Sequence, residues 1–155
     1  MRTRTSIAIV VVFLSLSGLG CSSESNPWCK RDPLPVESFR WQLQQIEGMP
    51  AVPAVGDEQA AYFQLDPSAN RVTGYAGVNQ FNGSYELKGR ELKFSPAAMT
   101  RQAGPEPTMR QEAAFGSVLT NTAGWRPYGD NTIVLLDGGG IPLARFTRGA
   151  ATDVK

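Results

Sequence analysis

The sequence beyond residue 38 consists of short runs in which apolar and polar residues alternate, and turn residues bound each run. The clearest example is SYELKGRELKF, in which Tyr85 and Leu87 are expected to face Leu92 and Phe94 across a turn at 88–90. Alternation with a period of two turns one face of a strand toward a core, and short connections favour antiparallel pairing. The pattern therefore predicts a mainly β fold built as an antiparallel meander.

Other runs extend this meander on both sides of the hairpin. FRWQLQQI and AAYFQLD are predicted strands, and RVTGYAG follows after the turn PSAN. Near the end of the chain, WRPYGDNTIVLLD and IPLARFTRG are predicted to form a closing hairpin turned by three glycines at 138–140. The inward-facing residues of the first two strands are expected to be Phe39, Trp41 and Leu43, with Ile46 as a further candidate, followed by Ala61, Phe63 and Leu65.

One segment has a helical period instead. From Thr108 to about Thr122 apolar residues recur at helical spacing, and Thr108 with Gln111 forms a candidate capping box. The residues expected on the buried stripe are Met109, Phe115, Val118 and Leu119. We therefore predict an α+β fold: a curved sheet or partly open barrel with one helix packed against it.

Composition limits the chemistry that this fold can perform. The 155 residues suffice for one domain, and the formal charge of +1 (15 − 14) offers no basic surface for nucleic acid. The sequence has no histidine, which removes the commonest general base and metal ligand and excludes Ser–His and Cys–His catalysis. No cofactor and no metal site are predicted.

The first 20 residues have the order of an export signal. Arg2 and Arg4 precede an apolar run at 7–14, which is too short to span a bilayer because spanning takes about 20 residues. Small residues follow up to Cys21, so that GLGC is similar to a lipobox, in which the cysteine is acylated and becomes the mature N-terminus. The alternative is an ordinary secretory cleavage site, since Gly-Leu-Gly is also a small-x-small pattern.

Two cysteines lie close together ahead of the predicted domain. Cys21 and Cys29 are the only cysteines, so no disulfide within the domain is expected. If Cys21 carries lipid, Cys29 is a lone thiol; if it does not, the two could close a small loop. Prolines between residues 22 and 36 favour an extended tether.

An ordered set of short motifs resembles the META domain, also called the HslJ-like domain, of bacterial envelope proteins. The motifs are WQLQQIEG, YFQL, RVTGYAGVNQFNGSYEL, LKF, the Thr-Arg pair at 100–101, MRQEAAF, GDNTIVLLD and LARF. One departure is Ala103, where family members often have a cysteine. The resemblance implies a compact β-rich fold and lipoprotein or periplasmic members associated with heat shock, drug tolerance or motility, with no established catalytic mechanism.

Together these features divide the chain into four parts. We predict a signal peptide at 1–20, a lipid-anchored flexible tether at 21–36, a META domain at 37–149 and a disordered tail at 150–155. The expected location is a membrane-anchored lipoprotein, at the outer membrane facing the periplasm in a diderm host, because Ser22 gives no retention signal of the Asp type. A soluble periplasmic or secreted protein is the alternative.

The candidate structural or binding residues lie in the quoted motifs: Asn79, Phe81, Thr100, Arg101 and Glu112. Asn79 either lines a ligand-binding mouth or satisfies buried backbone amides. Glu112 falls on the predicted helix stripe, where a withdrawn carboxylate needs a partner, and Arg101 is the nearest cation of the Thr-Arg motif. Alternatively Glu112 is solvated, or Arg101 binds an anionic ligand.

Two classes of function follow. The first is a non-catalytic module that is tethered to the membrane by its N-terminal lipid and holds an envelope protein or a small apolar ligand. The second is a hydrolase or other enzyme that depends on carboxylates, since Asp130 and Asp137 flank a predicted strand. Aspartates at hairpin ends are more often turn residues, so the first class is favoured.

Overall fold

The computed structural model describes residues 35–54, 59–95 and 98–149. The predicted signal peptide, Cys21, Cys29, the tether up to residue 34 and the tail at 150–155 lie outside the described residues. Within those ranges a short 3-10 helix at Val36–Ser38 and one α-helix, α1, at Glu106–Asn121 accompany ten β-strands. The strands are β1 (Arg40–Ile46), β2 (Met49–Pro50), β3 (Tyr62–Asp66), β4 (Arg71–Tyr75), β5 (Gln80–Lys88), β6 (Glu91–Phe94), β7 (Ala98–Met99), β8 (Gly124–Pro127), β9 (Thr132–Leu136) and β10 (Pro142–Arg148).

Eight of these strands form a closed antiparallel barrel. The order around it is β1, β3, β4, β5, β6, β8, β9 and β10, and β10 pairs with β1 to complete the circle. The two short strands lie off this path, with β2 paired to β1 and β7 paired to β5. The predicted mainly β meander with one packed helix is confirmed, and the barrel is closed rather than partly open.

The register agrees with the sequence pattern at the predicted hairpin. Tyr85 pairs with Phe94 and Leu87 with Leu92. In β1 the register shifts between Leu43 and Gln45, which inserts one residue into the strand. Because of this bulge Ile46 points inward, where it is 3% exposed.

Aromatic side chains fill the barrel. The ring of Phe146 lies 4.9 Å from that of Phe63 and 5.8 Å from that of Phe115, and Phe115 lies 5.5 Å from Phe81. All four residues are at most 2% exposed. An eight-stranded barrel is just wide enough for its side chains to fill it, so the inside of this one is a packed core.

The helix differs from its prediction at its N-terminus. It begins at Glu106, with Pro105 as N-cap and no capping bond from a side chain, so the predicted capping box is wrong. The Gln111 side chain does not cap the helix, because its Oε1 accepts a hydrogen bond of 2.6 Å from the backbone amide of Val52. Pro107 in the first turn has no N–H to satisfy, which reduces the need for a cap.

The buried face of α1 is also shifted. Phe115, Val118 and Leu119 are buried as predicted, but Met109 is 43% exposed and Gln111 takes the buried place in the first turns. Among the described residues, no helix has both the length and the apolar character needed to cross a membrane.

Two hydrogen bonds hold the residues just before β1 against the barrel. Val36, the last residue of the predicted tether, is 2% exposed, and its carbonyl accepts a 2.7 Å hydrogen bond from Trp41 Nε1. The hydroxyl of Tyr85 donates to the Glu37 carboxylate. Burial, together with this bond, raises the pKa of Tyr85 well above its usual range.

This bond makes a prediction for Tyr85→Phe. We expect the variant to lower the free energy of unfolding by about 1 to 2 kcal/mol at pH 7, because a hydrogen bond to a charged acceptor is lost. The folded pKa of Tyr85 is raised, so its contribution is complete below the unfolded pKa of about 10 and is lost as pH rises further. Urea melts at pH 7 and above pH 10 should therefore show the difference between wild type and variant shrinking. Tyr128→Phe, at an exposed tyrosine, is the control, and equal losses in both variants would contradict the assignment.

Candidate functional site

Asn79 is the buried centre of a partly buried hydrogen-bond network between the β4–β5 loop, the segment after β7 and α1. Its Nδ2 donates to the Gln102 carbonyl at 3.0 Å and to Glu112 Oε1 at 2.9 Å. Its Oδ1 accepts from Thr100 Oγ1 at 2.8 Å and from the Gln102 amide at 2.7 Å. Asn79 is only 3% exposed, and both ends of its side-chain amide are fully used, so this residue binds chain segments together rather than offering groups to a ligand.

Glu112 has a different partner from the predicted one. It is half-buried, and its Oε2 accepts hydrogen bonds from the backbone amide of Asn79 at 2.8 Å and from that of Val78 at 3.3 Å. Its Oε1 accepts a hydrogen bond from the Nδ2 of the Asn79 side chain. No ion pair joins Glu112 to Arg101, although both lie in the described ranges. The predicted pair is therefore wrong: backbone and amide N–H groups compensate the charge of the carboxylate, and the side chain stays partly open to solvent.

Thr100 and Arg101 differ in their contacts: the Thr100 hydroxyl is hydrogen-bonded within the network, whereas the Arg101 side chain is exposed. Thr100 Oγ1 also accepts from the Gln80 amide at 3.2 Å, which fixes the segment after β7 to β5. Arg101 is exposed. Its guanidinium is available to solvent or to an anion, so the sequence-based hypothesis of an anion contact at Arg101 stays a prediction.

Phe81 is a core residue that requires glycine opposite it. It is 2% exposed, and a Cβ built on Gly74 would lie 2.5 Å from Phe81 Cζ and collide with the Tyr62 carbonyl. Gly77, with φ +132°, lies where a Cβ would be 2.9 Å from Thr108 Cγ2. The glycines of RVTGYAGVNQ thus permit these close approaches, and they bring the loop onto α1.

An open depression of about 630 Å³ lies beside this network. Its floor is polar and already hydrogen-bonded, while the partly exposed Met109 and Met99 give it an apolar side. We call it the Asn79 groove, defined by Asn79, Met99, Thr100, Arg101, Met109 and Glu112. A wider depression over β4 and β5, of about 920 Å³, is lined by Arg71, Thr73 and Asn82 among others.

A smaller cleft of about 320 Å³ lies on the outer face of the barrel, over β8, β9 and β10. It holds two arginines, a tyrosine and an apolar floor, none of which the sequence had singled out. The guanidinium of Arg145 lies 4.5 Å from the ring centre of Tyr128. We call it the arginine cleft, defined by Glu47, Arg126, Tyr128, Val134, Leu143 and Arg145.

A partial signal for this cleft is present in the sequence. In WRP and ARF the arginines alternate with buried residues, so both could have been assigned to the outer face. Their proximity depends on register, because Arg126 and Arg145 are neighbours only through Val134, which pairs with each of them from opposite sides of β9. That register is a property of the sheet and not of either motif.

The carboxylate of Asp137 is part of a turn. Its Oδ1 accepts hydrogen bonds from the Gly139 amide at 2.9 Å and from the Ile141 amide at 2.8 Å, which shapes the β9–β10 connection. The described residues contain no group of three or more Cys, Asp or Glu side chains placed to hold a metal ion.

Comparison with known families and structures agrees with this geometry. The family model of the META domain matches residues 35–150. An NMR structure of a protein from Burkholderia xenovorans is 25% identical, covering 78% of this chain and 92% of its own, with a TM-score of 0.59. A second NMR structure is 18% identical, with coverage of 76% and 96% and a TM-score of 0.56. A crystal structure of a duf4847 family protein from Bacteroides vulgatus is 12% identical, with coverage of 76% and 97% and a TM-score of 0.54. No curated protein matches the chain.

Proposed function

The chain belongs to the META-domain family, and on this basis we propose that it is an exported, lipid-anchored protein of the bacterial envelope that binds a partner and catalyses no reaction. One observation supports the binding role above all: the barrel is filled by its own aromatic side chains, while clefts with unsatisfied charge and exposed apolar side chains lie outside. A ligand or protein would therefore bind on the outer surface.

The bonding of the acidic residues supports binding over hydrolysis. A hydrolase that depends on carboxylates needs two acidic groups converging on a substrate. Asp137 is engaged in its turn, and Glu112 is engaged by amides. The remaining part of the proposal, a role in stress or drug tolerance, comes from the family resemblance and predicts that cells lacking the protein are more sensitive to such stress.

Anchoring is tested with the two cysteines, which form a matched pair. We expect wild type and Cys29→Ala to enter the detergent phase and to have the mass of an N-terminally acylated chain beginning at Cys21. Cys21→Ala should be soluble or uncleaved. A mature wild-type protein without acyl chains, or one whose mass changes on reduction because Cys21 and Cys29 are joined, would contradict the anchor.

Binding is tested in cells that produce the protein with a photo-crosslinking benzoylphenylalanine in place of one surface residue at a time. Met109 probes the Asn79 groove and Tyr128 probes the arginine cleft, since both side chains are exposed. Glu86, exposed on β5 and outside both clefts, is the control position. Adducts of discrete mass from a cleft position and none from Glu86 are expected. The absence of any adduct at both clefts would contradict a binding role for this surface.

A further inference from the structure

The arginine cleft has the geometry of a small binding site. Arg126 and Arg145 flank Val134 from the two neighbouring strands, which places their Cα atoms about 10 Å apart, twice the spacing of strands in a sheet. Both side chains project from the outer face of the sheet, so two guanidinium groups border the same patch of that face. An anion on that patch can contact both.

The cations of this cleft have no acidic partner within the described residues. No ion pair there involves Arg126 or Arg145, although Glu47 also lines the cleft. The Nε of Arg145 is buried and has no hydrogen-bond acceptor. A buried, unpaired N–H of a charged group leaves part of the guanidinium charge uncompensated. Two arginines against one glutamate leave a charge of 2 − 1 = +1, which matches a single negative charge.

The floor of the cleft is apolar. Val134 is 3% exposed although it lies on the outer face, between the inward-facing Ile133 and Leu135, and it is not part of the core cluster. Arg126 and Arg145 pair with it on either side, and long charged side chains often cover apolar surface with their methylene groups. Leu143 and the ring of Tyr128, which is 55% exposed, add further apolar surface.

We propose that the arginine cleft binds a small carboxylate, with the carboxylate group between the two arginines and an apolar body against Leu143 and the ring of Tyr128. Guanidinium groups bind carboxylates with paired, charge-assisted hydrogen bonds. A volume of about 320 Å³ is at the lower end of the range for small-molecule sites, so the body is about the size of one aromatic ring or a short aliphatic chain. This assignment rests on the proposed binding function and names the ligand class for one of its surfaces.

The test is a titration of the full chain, labelled with nitrogen-15, by benzoate, benzamide and inorganic phosphate. Benzoate and benzamide have the same shape and differ in charge, while phosphate is charged and has no apolar body. We expect benzoate to shift the amide signals of Val134 and Leu143 saturably, and benzamide and phosphate to bind at least about tenfold more weakly. Phosphate binding as tightly as benzoate would overturn the apolar body, and equal binding of benzamide would overturn the carboxylate.

The variants Arg126→Gln and Arg145→Gln should each weaken benzoate binding by about tenfold or more, since each loses a charge-assisted hydrogen bond. Arg90→Gln is the matched control, because Arg90 also stacks on an aromatic ring, that of Trp125, but lies outside the cleft. Unchanged affinity in both cleft variants, or an equal loss in Arg90→Gln, would overturn the site. If benzoate does not bind but a partner is crosslinked at Met109, the carboxylate site is wrong and the proposed binding function stands. If a protein is crosslinked at Tyr128, the cleft binds that protein and the proposed small ligand is wrong.

Discussion

Phe115→Ala is expected to lower the free energy of unfolding by about 3 to 5 kcal/mol, the range for truncating a buried aromatic residue. Phe115 is fully buried and touches the rings of both Phe81 and Phe146, so it joins α1 to two walls of the barrel. Removing its ring leaves a cavity at the point where helix and barrel meet, and surrounding strands cannot close it without losing their register. Because domains are typically stable by about 5 to 15 kcal/mol, at least roughly a fifth of the total would be lost.

Urea or thermal melts followed by circular dichroism measure this effect. Met109→Ala is the matched control on the same helix, because Met109 is 43% exposed, and we expect it to change stability by less than about 1 kcal/mol. A similar loss in the two variants would mean that α1 does not present the face described here. A loss below about 1 kcal/mol for Phe115→Ala would contradict the packed interior.

Asn79→Ala is expected to lower the free energy of unfolding by about 2 to 4 kcal/mol. Four hydrogen bonds of the side chain are lost, and the half-buried Glu112 carboxylate keeps only its backbone donors. Each unsatisfied buried group costs about 1 to 3 kcal/mol, although water can reach the exposed Gln102 and reduce the sum. The structural role of Asn79 thus predicts a stability defect rather than a binding defect.

Two further variants separate this network from its surroundings. Asn82→Ala removes an exposed asparagine of the same strand and should cost under about 0.5 kcal/mol. Arg101→Ala should have an equally small effect, because no ion pair joins Arg101 to Glu112. A loss of about 3 kcal/mol or more in Arg101→Ala would show that the two residues interact after all.

Most of the longer strands, and the inward faces of the regular ones, follow from the sequence alone, whereas WRPYGDNTIVLLD, predicted as one arm of the closing hairpin, forms the two strands β8 and β9. Alternation in AAYFQLD and SYELKGRELKF correctly gives the buried residues Ala61, Phe63, Leu65, Tyr85 and Leu92, since a strand with one buried face must repeat with a period of two. The motif order was also sufficient to identify the family.

The hydrogen-bond partners of the polar residues could be identified only from the tertiary structure. Glu112 is separated by 33 residues from the Asn79 amide, and a carboxylate on a helix stripe does not reveal whether a cation or a backbone N–H will meet it. Gln111 was assigned to a local capping box, but its side chain bonds to an amide 59 residues away. Local patterns report which face a residue occupies; they do not report which distant donor is brought to that face.

Closure of the barrel and the arginine cleft depend on register between strands. Pairing of β10 with β1 joins the two ends of the meander, and the bulge after Leu43 decides which residues of β1 point inward. Arg126 and Arg145 lie 19 positions apart in sequence and meet only because each pairs with Val134. The sequence by itself determined most of the strands, the buried faces of the regular strands and the family, because these follow from local periodicity and motif order. The hydrogen-bond partners, the inward face of β1 after its bulge and the cleft were decided by the tertiary structure, because a shift of one residue between strands would change them.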